Sequence, residues 1–364
     1  MTTAVATPRP LVAEGEQTER GAQIRRTWIL AVVALGVIGV AVLLLSIAQS
    51  GVAGTTRANP APLGTHIYGG VPRAQPPYWG ITNWPAVFQV LSVGLNVLCW
   101  APFVWLWWKR GQVHPGLILM FAFWIACSAT DPLANWGYAA VYDPRVLHFP
   151  VHWPYVSLAP LVEPIIAVAG WQWWYMLPGL IGFALWKRLS RRSADTAWVN
   201  RRPLLSLFLI GFAVGGVIDV VAEVLFIKSM IYMYSQVRGP LLWGGHSWQF
   251  PIVWGPVLQI LLYGFAAAFL WRDDQGRTVC GRFAHRFRTL RRRPVLSEVA
   301  VATAALTLSY LLGIGTMALL KQHATTIARP WPFQEAKTYD PTGLWRSHGA
   351  PGPFYRGVWS GMLR

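Results

Sequence analysis

Charge is what this chain has least of. Asp, Glu, Lys and Arg make up only 12% of its 364 residues, and fourteen of those are acids. A typical soluble domain carries about 25% charged residues, so an ordinary water-exposed surface is excluded for most of the chain. Cysteine is scarce as well. Cys99, Cys127 and Cys280 form no CxxC and no Cys/His zinc spacing, which excludes a disulfide framework and a structural zinc site. GxSxG, Walker A, GxGxxG and HExxH are all missing. Their absence removes the nucleophile-elbow hydrolases, P-loop NTPases, dinucleotide-dependent redox enzymes and zincins.

What is present is apolar length. Hydrophobic residues reach 54%, with 22 tryptophans, and several runs of ~20 residues are long enough to cross a hydrocarbon core of ~30 Å. The chain reads as all-α, a polytopic integral membrane protein with about seven transmembrane helices in one bundle. The expected helices are 27–48, 84–108, 115–140, one within 158–186, 204–226, 251–271 and one within 295–320. Pro132 is expected to kink the third, and Pro160, Pro164 and Pro178 to break the fourth. Residues 1–26 read as a disordered cytosolic tail, 27–320 as the membrane domain and 321–364 as a polar C-terminal tail.

The net charge of +17 raises the question of nucleic acid. The arginines gather in short loops between apolar runs, however, and no basic stretch on a soluble module is interleaved with stacking aromatics. They fix orientation instead. Of 31 Lys and Arg, 20 fall in segments on the N-terminal side of this map, which predicts a cytosolic N terminus and a multi-pass chain. The lipid bilayer is the expected partner and nucleic acid is not.

The acids are distributed unevenly. Asp131, Asp143, Glu163, Asp219 and Glu223 all map to one half of the bundle or just beyond it, with His148, His152 and His246 on the same side. Ionisable groups at membrane depth are costly and mark a site or a polar pathway. Asp219 and Glu223 lie four apart, on one helical face. Two carboxylates this close do not both ionise readily, which suits one to be an acid beside a base; the structural reading is that Glu223 sits at the headgroups and Asp219 pairs with a polar group on another helix. Asp131 and Asn135 are also four apart, either as a site or as glue at the Pro132 kink. Glu163, between Pro160 and Pro164, sits where helical backbone is interrupted, as at a cavity. His148 and His152 have metal-like spacing, but Pro150 between them removes the regular helical pair, and no metal is expected. They remain candidate proton acceptors or simply interfacial side chains beside Trp153 and Tyr155. Trp171, Trp173 and Trp174 are candidate cavity walls, and Gly211 and Gly215 a helix-packing pair.

In order, DPLANW (131–136), YDPRVLHFP (142–150) and WPYVSLAPLVEP (153–164) resemble the AveC-like spirocyclase family. So do the helix carrying Asp219 and Glu223, YMYSQV (232–237), SWQFPIVW (247–254) and WRDDQGRTV (271–279). The resemblance covers roughly 115–285. It implies a membrane-bound enzyme of bacterial polyketide pathways, located in the cell membrane, that forms a spiroketal from a keto-diol; some members also dehydrate it. The implied ligand is a lipophilic polyketide-like small molecule, and no cofactor is called for.

This chemistry suits the residues. A hemiketal hydroxyl must be protonated to leave as water, the resulting oxocarbenium ion must be stabilised, and the attacking hydroxyl must lose a proton. The acid is expected to be Asp219 or Glu223, the stabilising carboxylate Glu163 or Asp131, and the base His148 or His152. Asn135, Trp136, Trp153, Tyr234 and His246 are assigned to the substrate pocket. The alternatives are a proton-coupled transporter of an apolar small molecule, against which stands the lack of an inverted repeat, and a non-catalytic scaffold, which leaves the intramembrane carboxylate pair unexplained.

Overall fold

The computed structural model describes residues 84–143, 146–149, 155, 156, 158, 159, 162–252, 255–321 and 323–328, together with Ile81, Ser347 and four short strands. For residues 255–260 and for those four strands it describes backbone only. The expected N-terminal tail, the expected helix at 27–48, and His152 and Trp153 lie outside the described residues.

Ten helices are described: α1 (Trp84–Arg110), α2 (Pro115–Gly137), α3 (Ile165–Gly170), α4 (Gln172–Arg192), α5 (Trp198–Arg201), α6 (Pro203–Lys228), α7 (Gly255–Phe269), α8 (Val279–His285), α9 (Arg288–Arg291) and α10 (Pro294–Lys321). Strands β1 (Thr65–Tyr68) and β2 (Val71–Ala74) pair antiparallel, as do β3 (Ala140–Tyr142) and β4 (Tyr232–Tyr234). The remaining strands, β5 (Gln236–Val237), β6 (Leu241–Leu242), β7 (Phe250–Pro251), β8 (Thr326–Ile327), β9 (Thr338–Tyr339) and β10 (Phe354–Tyr355), form two-residue pairings.

The protein is a mostly helical membrane protein. Among the described residues four helices are long and apolar enough to cross a membrane: α1, α2, α6 and α10. Two other expected spans take different forms. At 15 residues, α7 reaches only ~22 Å at 1.5 Å per residue. The 21 residues of α4 end in the polar run 187–192, which shortens the apolar part. Pro132 lies within α2. In the fourth segment the expected break at Pro164 is present, where α3 begins, and a second falls at Trp171 between α3 and α4, whereas Pro178 lies inside continuous α4.

The bundle centres on α2, with 17 of its 23 residues buried. Gly211, Gly215, Asp219, Glu223 and Ile227 recur every fourth position on α6 and are all buried, while Val217 and Val221 on the other side are 68% and 67% exposed. That is the pattern of a lipid-facing helix with one inward stripe. The stripe is narrow because α7 packs directly on it. A Cβ at Gly211 would lie 2.7 Å from Ala267 Cβ, and one at Gly215 only 2.2 Å from Tyr263 Cδ2. Small residues therefore seat the helices in contact.

Helices α2 and α6 both stop by placing an L-residue in the left-handed region, Ala139 at φ 53° and Met230 at φ 61°. After α6, Met230 N–H donates to Ile227 O at 3.1 Å and Ile231 N–H to Phe226 O at 3.1 Å, a Schellman arrangement built without glycine. The chain emerges from each helix as a strand. Ala140 pairs with Tyr234, Val141 with Met233 and Tyr142 with Tyr232. This ribbon brings the ends of α2 and α6 together.

Candidate functional site

Beneath the β3–β4 ribbon lies a cavity of about 30 Å³, room for about two waters. Its wall combines acids, tyrosines and indoles: Asp131, Asn135, Tyr142, Glu223, Tyr234 and Tyr310 among the polar groups, Trp171 and Trp174 among the apolar ones. Trp173 lies behind, packed edge-on against Trp174 at 5.3 Å between ring centres.

The first carboxylate cluster is built on α2. One helical turn carries Asn135 over Asp131, and Asn135 Nδ2 donates to Asp131 Oδ2 at 2.9 Å. The same amide also donates to Glu163 Oε1, while its Oδ1 accepts from Tyr142 OH at 3.2 Å. Asp131 Oδ1 accepts from Tyr310 OH at 3.2 Å, and Tyr310 accepts in turn from Tyr175 OH at 2.7 Å. All of these side chains are buried. One amide thus holds two carboxylates, and two tyrosines form a donor chain ending on Asp131. Burial, and then the charge of Asp131, push the Glu163 carboxyl well above the usual carboxylate range.

The second cluster is on α6. Tyr263 of α7 donates to Asp219 Oδ1, and Tyr234 of β4 donates to Glu223 Oε2 at 3.0 Å. Glu223 reaches the cavity and Asp219 stands one turn further in, outside its lining. Burial and the neighbouring Glu223 raise the Tyr234 phenol well above its ordinary value, so it remains a donor. The Tyr142 phenol is likewise raised, by burial and then by Asp131, Glu163 and Glu223.

The histidines stand elsewhere. His148 is buried, and its Nδ1–H donates to Phe149 O at 2.8 Å. Burial lowers its pKa, favouring the neutral ring. It is the backbone of this segment that serves the site. His148 bridges Pro164, Phe149 N–H donates to Glu163 O at 2.9 Å, and Ile165 N–H donates to Leu147 O at 3.0 Å. These bonds strap down the segment that carries Glu163. His246 is exposed, its ring stacked on Trp248 at 5.2 Å. Trp136 is buried behind the wall, outside the lining. Of the residues assigned to the site from sequence, Asp131, Asn135, Glu223 and Tyr234 face the cavity, Glu163 and Asp219 back it by one hydrogen bond or one turn, and His148, Trp136 and His246 do not line it. Sequence reading passed over Tyr142, Tyr175, Tyr263 and Tyr310. Their signal was tyrosine within or beside apolar segments, where a buried hydroxyl needs a partner. Among the described residues no three His, Cys, Asp or Glu side chains converge as a metal site requires.

A family model described as "Spirocyclase AveC-like" matches residues 108–339. This chain belongs to the AveC-like spirocyclase family. The match spans both carboxylate clusters and the ribbon that joins them. No curated protein and no solved structure gives a significant match. The family supports a role for this membrane protein as a spirocyclase in polyketide processing.

Proposed function

We propose that this protein is a membrane-embedded spirocyclase that closes a keto-diol polyketide intermediate into a spiroketal by acid–base catalysis. The observation that carries the reading is a single cavity flanked by two separate carboxylates, Asp131 and Glu223, each held by phenol donors between indole walls.

In this mechanism Glu223, as the carboxylic acid, protonates the hemiketal hydroxyl, the C–O bond breaks and water leaves. The oxocarbenium ion forms between Asp131 and the faces of Trp171 and Trp174, where carboxylate charge and aromatic quadrupoles both favour a cation. The second hydroxyl attacks the cationic carbon and its proton passes to the Glu223 carboxylate, restoring the starting protonation state. No net proton is consumed, so the histidines are not needed as bases. Asn135 keeps Asp131 and Glu163 at fixed spacing, and Glu163 acts through that amide as a positioning residue. A polyketide chain far exceeds 30 Å³, so catalysis requires the cavity to open and admit it. Dry walls then protect the cation from solvent and set which face is attacked. Dehydration of the product belongs to the same acid–base set.

The test is turnover in detergent, with no membrane gradient, on a keto-diol of polyketide type, product stereochemistry being read by chiral chromatography. One spiroketal in excess, lost in Glu223→Gln and in Asp131→Asn while both variants keep their thermal unfolding, is the expected result. A product ratio equal to the uncatalysed one in wild type overturns the reading.

A further inference from the structure

A second cavity, of about 250 Å³, opens where the N-terminal ends of α2 and α10 meet α8 and α9. Arg272, Arg277, His285 and Arg291 line it, with Glu298 as the acid in the wall and Ile118 among the apolar groups. Glu298 Oε1 accepts from Thr278, and Arg277 is paired with Asp273 at 3.5 Å. Arg272 stands in the field of Glu298, and Arg291 Nε donates to His285 O; three arginines against Glu298 and Asp273 leave the cavity net positive. The field of Arg272 and of Arg110 reaches His114 and, after burial, helps hold its pKa below the ordinary value.

The cavity lies at the mouth of two spanning helices, and its surroundings are interfacial. In α8, Cys280 and Ala284 face the bundle, whereas Phe283, and Phe287 just before α9, are 48% and 47% exposed and pack on each other at 5.3 Å. Leu296, at the start of α10, is 45% exposed. Arg282 lies over the Trp271 ring at 5.2 Å, and Arg286 and Arg288 are exposed. Phenylalanines turned outward beside a row of arginines are the composition of a segment lying in the headgroup plane.

We infer that the Arg272–Arg291 cavity is a binding site for the phosphate of an anionic phospholipid, with Phe283 and Phe287 seated among its acyl chains. Charge complementarity selects the anion. The apolar neighbours and the position at the ends of α2 and α10 select a lipid over a free ion. This site is separate from the acid-lined cavity, and its occupancy is measurable without turnover.

The experiment is native mass spectrometry of the full-length protein in detergent, titrated with phosphatidylglycerol or phosphatidylcholine. The expected result is preferential retention of phosphatidylglycerol, weakened about 30-fold in Arg272→Gln/Arg291→Gln, from roughly fivefold per basic residue near anionic lipid. Phosphatidylcholine retention stays unchanged. Equal retention of the two lipids by wild type, or phosphatidylglycerol binding unaffected by the double variant, overturns the inference. So does full displacement of phosphatidylglycerol by inorganic phosphate, which would make this a free-anion site. If the double variant does not fold, the comparison of lipids on wild type and the phosphate competition decide the matter.

Discussion

Replacing Asn135 with leucine removes the one group that both carboxylates of the first cluster share. The side chain keeps the same branched skeleton, so little packing is lost. Three hydrogen bonds go: the donor to Asp131 at 2.9 Å, the donor to Glu163, and the acceptor for Tyr142 at 3.2 Å. Each buried polar group left without its partner costs about 1–3 kcal/mol. Asp131 keeps Tyr310, so its share falls at the low end, and the sum is about 3–7 kcal/mol. Against a total stability of about 5–15 kcal/mol that is a large fraction. It should appear as a marked fall in the unfolding temperature of the detergent-solubilised protein, followed by tryptophan fluorescence. Cyclisation should fall further than the folded fraction does, because Asp131 is then no longer held at the cavity. Asn135→Asp makes the companion variant. It keeps the acceptor for Tyr142 but loses both donors, and protonation gives one donor back, so its stability should recover as pH is lowered whereas that of Asn135→Leu should not. Unfolding of Asn135→Leu within about 1 kcal/mol of wild type, with undiminished turnover, would refute the argument that this amide holds the cluster together.

Three further outcomes are expected. Gly215→Ala places a methyl 2.2 Å from the Tyr263 ring; it should cost about 1–3 kcal/mol by overpacking, and less when made in a Tyr263→Leu background, where denaturant unfolding should show the two changes to be non-additive. Glu163 has a raised folded-state pKa, so the folded protein holds a proton that the unfolded chain releases. Its contribution to stability is complete below the ordinary glutamate value of about 4.3 and is lost as pH rises through the folded value; Glu163→Gln should flatten that fall in a melting series against pH, and an unchanged slope would count against it. Ala139→Gly relieves a left-handed L-residue, φ 53°, a conformation costing about 1–2 kcal/mol. After the added chain entropy of glycine, a net gain of about 0.5–1 kcal/mol should raise the melting temperature, and a lower one would show that the buried methyl matters more.

Part of the site was legible because helices have a fixed period. The four-residue spacing that put Asp219 and Glu223 on one face also turned both inward, to 0% and 4% exposure, since the rest of α6 is apolar enough to face lipid. The same spacing predicted Asn135 over Asp131, and the two are hydrogen-bonded. Helix boundaries were less legible. Of the expected breaks in the fourth segment, Pro164 does interrupt the helix, but Pro178 lies inside continuous α4 and the second interruption falls at Trp171. His148 illustrates a different limit. Its ring chemistry suggested a base, while its backbone pairing with Pro164 braces the segment that carries Glu163.

By itself, then, the sequence determined that this chain is helical and lives in a membrane, which family it resembles, and which carboxylates are kept from lipid. All of these follow from composition, local order and a 3.6-residue period. The tertiary structure decided which of those carboxylates share a cavity and what each is bonded to. Asn135 meets Glu163 across 28 residues, Asp219 meets Tyr263 across 44, and Asp131 meets Tyr310 across 179. Hydrogen bonds at such separations depend on how α2, α6, α7 and α10 pack and on two strands pairing at the ends of α2 and α6. No local spacing encodes either, because both arise from burial of surfaces that are far apart along the chain.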